Sequence, residues 1–210
     1  MNLARLLQLA SPALPVGAYT YSQGLEWAVE AGTVKDEATA LDWIGDQIEW
    51  NLGRFEAPLL AGMMAGGDVA ALDARYLASR ETAELRAETL QMGHSLRRLI
   101  GELKENIAVP PGLTFPAVWN ALAAHWQIAP ADALAAWLWS WAENQVMAAL
   151  KAVPLGQAAG QRILLEIGNR IPAVVERALQ LDGDDYSNFA PGFAIACARH
   201  ETQYSRLFRS

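Results

Sequence analysis

The stretch that decides the fold runs from Pro130 to Val153, PADALAAWLWSWAENQVMAALKAV. Proline opens it, at the helical position where a missing N–H does no harm. At about 100° per residue, Leu134, Trp137, Leu138, Trp141 and Gln145 fall on one face. Trp139, Val146 and Leu150 are apolar on the opposite side, which leaves Ser140, Glu143, Asn144 and Lys151 as a narrow polar stripe. A helix apolar nearly all round is central to its fold or shared between two copies of a chain. The spacing therefore predicts a long central helix, with Trp139 as the candidate intersubunit contact. Alternate spacing sends Trp137, Trp139 and Trp141 to different faces, so they read as core packing rather than one stacking platform.

Helical spacing continues on both sides. Pro154 stops the long helix, and GQAAGQRILLEIGNRIPAVVERALQ follows as another. Gly156 and Gly160 would allow close backbone approach there, and Pro172 would kink it. An acidic loop with Asp182, Asp184 and Asp185 reads as solvated, and FAIACAR as a last short helix. Upstream, Ser22 caps a helix through QGLEWAVEA that Gly32 ends. Asp36 caps a longer one carrying Leu41, Ile44, Ile48, Leu52 and Phe55, which Pro58 should kink or restart. Asp68 opens a single stretch from Val69 to Leu103, whose charges around Glu81, Glu84, Arg86 and Glu88 suggest a solvated face. Pro110-Pro111-Gly112 is the sharpest break. Period-two runs of β-branched residues are missing. The reading is one all-α domain over residues 1–210.

Composition narrows the function. The chain is 52% hydrophobic and 19% charged, with a formal charge of −7 and no basic run. Nucleic acid and anionic membranes call for clustered Lys and Arg, so neither is an expected partner. The segment Leu6 to Ala10 falls short of a signal-peptide core, being interrupted by Gln8. Prolines break the longest uncharged stretch, Asn106 to Ala131. With a single cysteine, Cys197, the chain reads as a soluble cytoplasmic protein. Phosphate-cradling, nucleophile-elbow and zinc motifs are absent from the sequence. Cys197 and His200 stand three apart, on one side of a helix, as soft and borderline ligands. Two ligands do not make a tight site, so the reading is core packing, with no metal and no cofactor expected.

Four stretches, SPALPVGAYTYSQGLEWAVEAG, SRETAELR, ENQVMAALKAVPLGQAAGQ and ARHETQYSRLFRS, resemble the urease accessory protein F (UreF) family. The resemblance runs in order from Leu6 to Ser210. Ala18 and Ala83 depart from the family's pattern and bear on local contacts only. The resemblance implies an all-α, non-enzymatic homodimer that joins accessory protein D or H and the GTPase accessory protein G. That complex delivers nickel to apo-urease, and the protein gates GTP hydrolysis. The alternative is a passive scaffold of the same complex. Partner-binding residues are expected at Lys151, Pro154, Gly156 and Gln157, and along the tail at His200, Glu201, Tyr204, Arg206, Leu207, Phe208, Arg209 and Ser210. Lys151 could reach a partner or interact with its own helix dipole.

The tail poses its own question, because an acidic chain ends on HETQYSRLFRS. Tyr204, Leu207 and Phe208 have i, i+3, i+4 spacing, that of an amphipathic anchor for a partner's groove. Arg206 and Arg209 suit bidentate pairs with a partner's carboxylates. The other possibility is a tail folded back on its own core.

Overall fold

The long helix α8, Pro130–Ala152, forms as its pattern predicts in the computed structural model, which describes residues 3–210. Leu134, Leu138, Ala142 and Gln145 are buried on one side of it. Trp137 packs into an aromatic cluster, its ring 5.2 Å from Phe115 and 5.3 Å from Trp119. The opposite side is covered by the chain itself. Helix α9, Gln157–Gln180, lies along it and runs on through Pro172. A Cβ at Gly160 would stand 3.0 Å from Leu150 and 3.2 Å from Val146, and one at Gly168 3.3 Å from Trp139. The apolar second face is therefore an α8–α9 seam within one chain. Gly156, by contrast, faces open space, so the close approach is made at Gly160 and not at Gly156.

The remaining helices are α1 Leu3–Ala10, α2 Leu25–Glu30, α3 Glu37–Asp46, α4 Ala57–Met64, α5 Val69–Ala78, α6 Ala83–Glu102, α7 Phe115–His125 and α10 Pro191–His200. Among the described residues there is no strand, and no helix is long and apolar enough to cross a membrane. One buried cluster draws side chains from Leu9 near the start to Phe208 near the end. The Pro110–Gly112 break joins α6 to α7, two helices that pack on each other.

Asp36 caps α3 as expected, in a reciprocal box with Thr39: its carboxylate accepts the Thr39 N–H at 2.9 Å. Between α3 and α4 the chain forms a π-helix, Gln47–Glu56, which the sequence pattern does not announce. Pro58 stands in the first turn of α4, so the helix restarts there. Proline cannot donate to the Arg54 carbonyl. The Ser187 N–H takes that place at 3.0 Å.

The single stretch expected over Val69–Leu103 is two helices. Arg80 turns inward to Glu56 at 2.7 Å and lies 4.2 Å from the Tyr76 ring. Thr82 then caps α6, accepting the Leu85 N–H at 3.2 Å. The solvated face also needs correcting, because Glu88 is only 5% exposed. Its partners come from distant segments and form the site below.

Candidate functional site: a carboxylate clasp on the C-terminal segment

Two glycines set the entry to the site. Gly17, at φ +82°, opens the 3-10 turn Ala18–Thr20. Gly24, at φ +78°, precedes α2, where a Cβ would lie 2.9 Å from the backbone nitrogen of Cys197. Only glycine combines that dihedral with that approach. Helix α2 thus abuts α10 and turns Glu26 inward. Helix α6 brings Glu84 and Glu88, four residues apart and hence on one face. Three carboxylates gathered from two helices are costly unless donors meet them.

The donors come from the end of the sequence. Glu26 accepts the backbone N–H of Leu207 at 2.6 Å and of Phe208 at 3.0 Å. His200, fully buried, places Nε2 3.4 Å from Glu26 and Nδ1 2.8 Å from Glu84. Arg206 donates to Glu84 at 2.5 Å. Glu88 accepts from the Ser210 hydroxyl at 2.7 Å and from the Gln23 amide at 2.5 Å. The Ser210 backbone oxygen accepts from Ser22 N–H at 2.8 Å, Gln23 N–H at 3.0 Å and the Ser22 hydroxyl at 2.6 Å. The Arg209 N–H reaches the Thr20 carbonyl at 2.8 Å. Gln23 also ties the clasp to α8, accepting from the Trp141 indole at 2.7 Å.

Burial pushes the Glu88 carboxyl up to about 7, although the Ser210 and Gln23 bonds pull the other way. Burial also raises the Cys197 thiol well above its ordinary value, with Glu81 and Glu88 adding to the effect. Cys197 and His200 are both buried on α10, but the thiol is held protonated and both His200 nitrogens face carboxylates. Among the described residues no group of three or more His, Cys, Asp or Glu is placed to hold a metal.

The helical anchor expected of the tail is corrected. Helix α10 ends at His200, and no helix follows. The Leu207 and Phe208 N–H groups go to Glu26 instead of to carbonyls four residues back. Leu207 and Arg209 are exposed while Phe208 and Ser210 are buried. Tyr204 is fully exposed and Leu207 is 72% exposed, so the three apolar residues do not bury together. Arg206 pairs within the chain, and Glu201 accepts the Glu84 N–H at 3.1 Å. Exposed Lys151 sets its Nζ 5.6 Å from the Phe208 ring, which brings the end of α8 to the tail. Pro154, Gly156 and Gln157 are exposed on the turn that follows. Sequence reasoning missed Glu26, Glu84, Glu88 and Gln23. The four-residue spacing of Glu84 and Glu88 was the one available signal.

Fold and clasp together define an all-helical protein whose C-terminal segment is locked onto its N-terminal segment and α6. The UreF family model matches residues 34–168. Urease accessory protein UreF of Dechloromonas aromatica (strain RCB) is 59% identical, with 100% of this chain and 98% of the relative aligned. The same-named proteins of Azoarcus sp. (strain BH72) and Azotobacter vinelandii are 59% and 49% identical, with 96% and 97% of the relative covered. The chain belongs to the UreF family of urease accessory proteins.

Proposed function

We propose that this protein is a non-enzymatic adaptor in urease maturation. In this reading it works in the cytoplasm as a homodimer, binds accessory protein D or H, and gates the GTPase accessory protein G. Nickel passes to apo-urease as cargo. The observation that carries the reading is the exposure of Tyr204 and Leu207 on the clasped tail. Glu26 holds the Leu207 and Phe208 amides, while the Leu207 side chain and, three residues earlier, that of Tyr204 stay in solvent. Exposed aromatic and aliphatic side chains on an ordered segment cost little entropy to bury against a partner. Lys151 and the Pro154–Gln157 turn flank the same end of α8 and extend the surface.

Replacing Tyr204 or Leu207 by aspartate leaves the clasp intact and places a charge where a partner would bury apolar surface. Both variants should fold, by circular dichroism, yet fail to pull down purified accessory proteins and fail to support urease activation. Normal assembly and activation by both variants would overturn the reading.

A second reading, a passive scaffold, is favoured by the contact of Lys151 with the Phe208 ring, which gives that lysine a role inside its own chain. The two differ in GTP hydrolysis. A gating adaptor changes the GTPase rate of accessory protein G, and Lys151→Ala abolishes the change while assembly persists. A scaffold leaves the rate untouched.

A further inference from the structure

Beside the clasp, a crevice of about 170 Å³ runs between the Ser11–Ala18 segment and α8. Its inner wall is the Phe115–Trp119–Trp137 cluster, and its outer edge includes Glu143 and Met147 of α8. The size is telling. Cavities of about 150 Å³ hold a benzene-sized group, whereas sites that bury a drug-sized ligand run to about 300–1,000 Å³. The volume suits one side chain.

Charge selects which side chain. Three glutamates line the crevice, and two are satisfied within the chain: Glu56 by Arg80, Glu88 by Gln23 and Ser210. Glu143 is half-buried, and among the described residues it has neither an ion pair nor a hydrogen bond. Burial raises its carboxyl above the ordinary range, with nothing opposing the shift. Lys151 lines the far end of the same crevice, eight residues or about 12 Å along α8 from Glu143, and its Nζ sits 5.6 Å from the Phe208 ring, with no ion pair to Glu143. Met147 stands one turn beyond Glu143, 46% exposed, between the two charges.

We propose that this crevice seats a single basic side chain, arginine or lysine, projected by a partner protein. Its apolar stem would lie along Met147 and the aromatic wall, and its charged head would meet Glu143. Aromatic faces beside a carboxylate favour a cation over a neutral group of the same shape. The inference rests on the adaptor reading only in drawing the side chain from a partner.

The test uses the full chain and short blocked peptides, Gly-Arg-Gly and Gly-Lys-Gly, against uncharged Gly-citrulline-Gly and Gly-norleucine-Gly. The reporters are the indole resonances of Trp137 and Trp141. Arginine and lysine peptides should shift them saturably, at least about fivefold more tightly than either uncharged peptide. Glu143→Gln should remove that preference. Equal binding of charged and uncharged peptides, no saturable shift, or a preference that survives Glu143→Gln would each overturn the proposal. The outcome is independent of the assembly assay, so a failed crevice and a failed adaptor are told apart.

Discussion

Glu88 is the residue at which the clasp meets solution chemistry. Its carboxyl titrates at about 7 in the folded chain, against an ordinary value of 4.5, because burial disfavours the charged form. A raised folded value means that the native state holds the proton more tightly. The associated stability is fully present below about pH 4.5 and is lost as pH rises through about 7. Stability should therefore fall across that window by on the order of 2–4 kcal/mol. Urea denaturation at stepped pH measures the slope, and Glu88→Gln should flatten it. Glu26 acts through geometry instead. Glu26→Ala strands two backbone donors and one side of His200, at about 1–3 kcal/mol per unmet group. The melting temperature should drop, and the Leu207 and Phe208 amides should exchange faster with deuterium. Neither residue was legible as functional in the sequence. A glutamate in a helical pattern reads as surface until its donors are known, and these donors lie up to 182 residues away.

At the scale of elements, periodicity told most of the story. The long central helix, its partner α9, the short α10 and the Asp36 cap follow from spacing and end signals. What periodicity could not carry was any break made by tertiary contact. The α5–α6 interruption depends on Arg80 reaching Glu56, and the π-helix before α4 contains a carbonyl that Pro58 leaves to Ser187. The tail failed for a related reason: its i, i+3, i+4 pattern is genuine, but Glu26 takes the amides a helix would need. The α8–α9 seam gives a sharp test of the two glycines once read alike. Gly160→Val must displace Leu150 and Val146, at a cost of about 1–3 kcal/mol. Gly156→Ala enters open space and should stay within about 0.5 kcal/mol. Chemical denaturation midpoints of the two variants compare them directly.

For the whole molecule, the clasp makes the tail structural. Phe208 is 7% exposed and Ser210 3% exposed, so the tail adds to the core. Deleting residues 204–210 strips Glu26 of both backbone donors and Glu88 of the Ser210 hydroxyl, and empties the Phe208 position. Thermal melting should show a clear loss of stability, with Phe208→Ala alone costing up to about 3–5 kcal/mol. Tyr204→Ala and Leu207→Ala, by contrast, should melt within about 0.5 kcal/mol of the parent. The same geometry has a consequence for synthesis. Glu26 leaves the ribosome 181 residues before Leu207, the amide it must hold. Contacts so distant in sequence close late, after the loop between them has been organised. Leu207 thus takes up its fixed position only once the chain between it and Glu26 has folded. Under the adaptor reading, the exposed surface then reports a folded copy, because an unfolded one lacks the clasp that holds it in place.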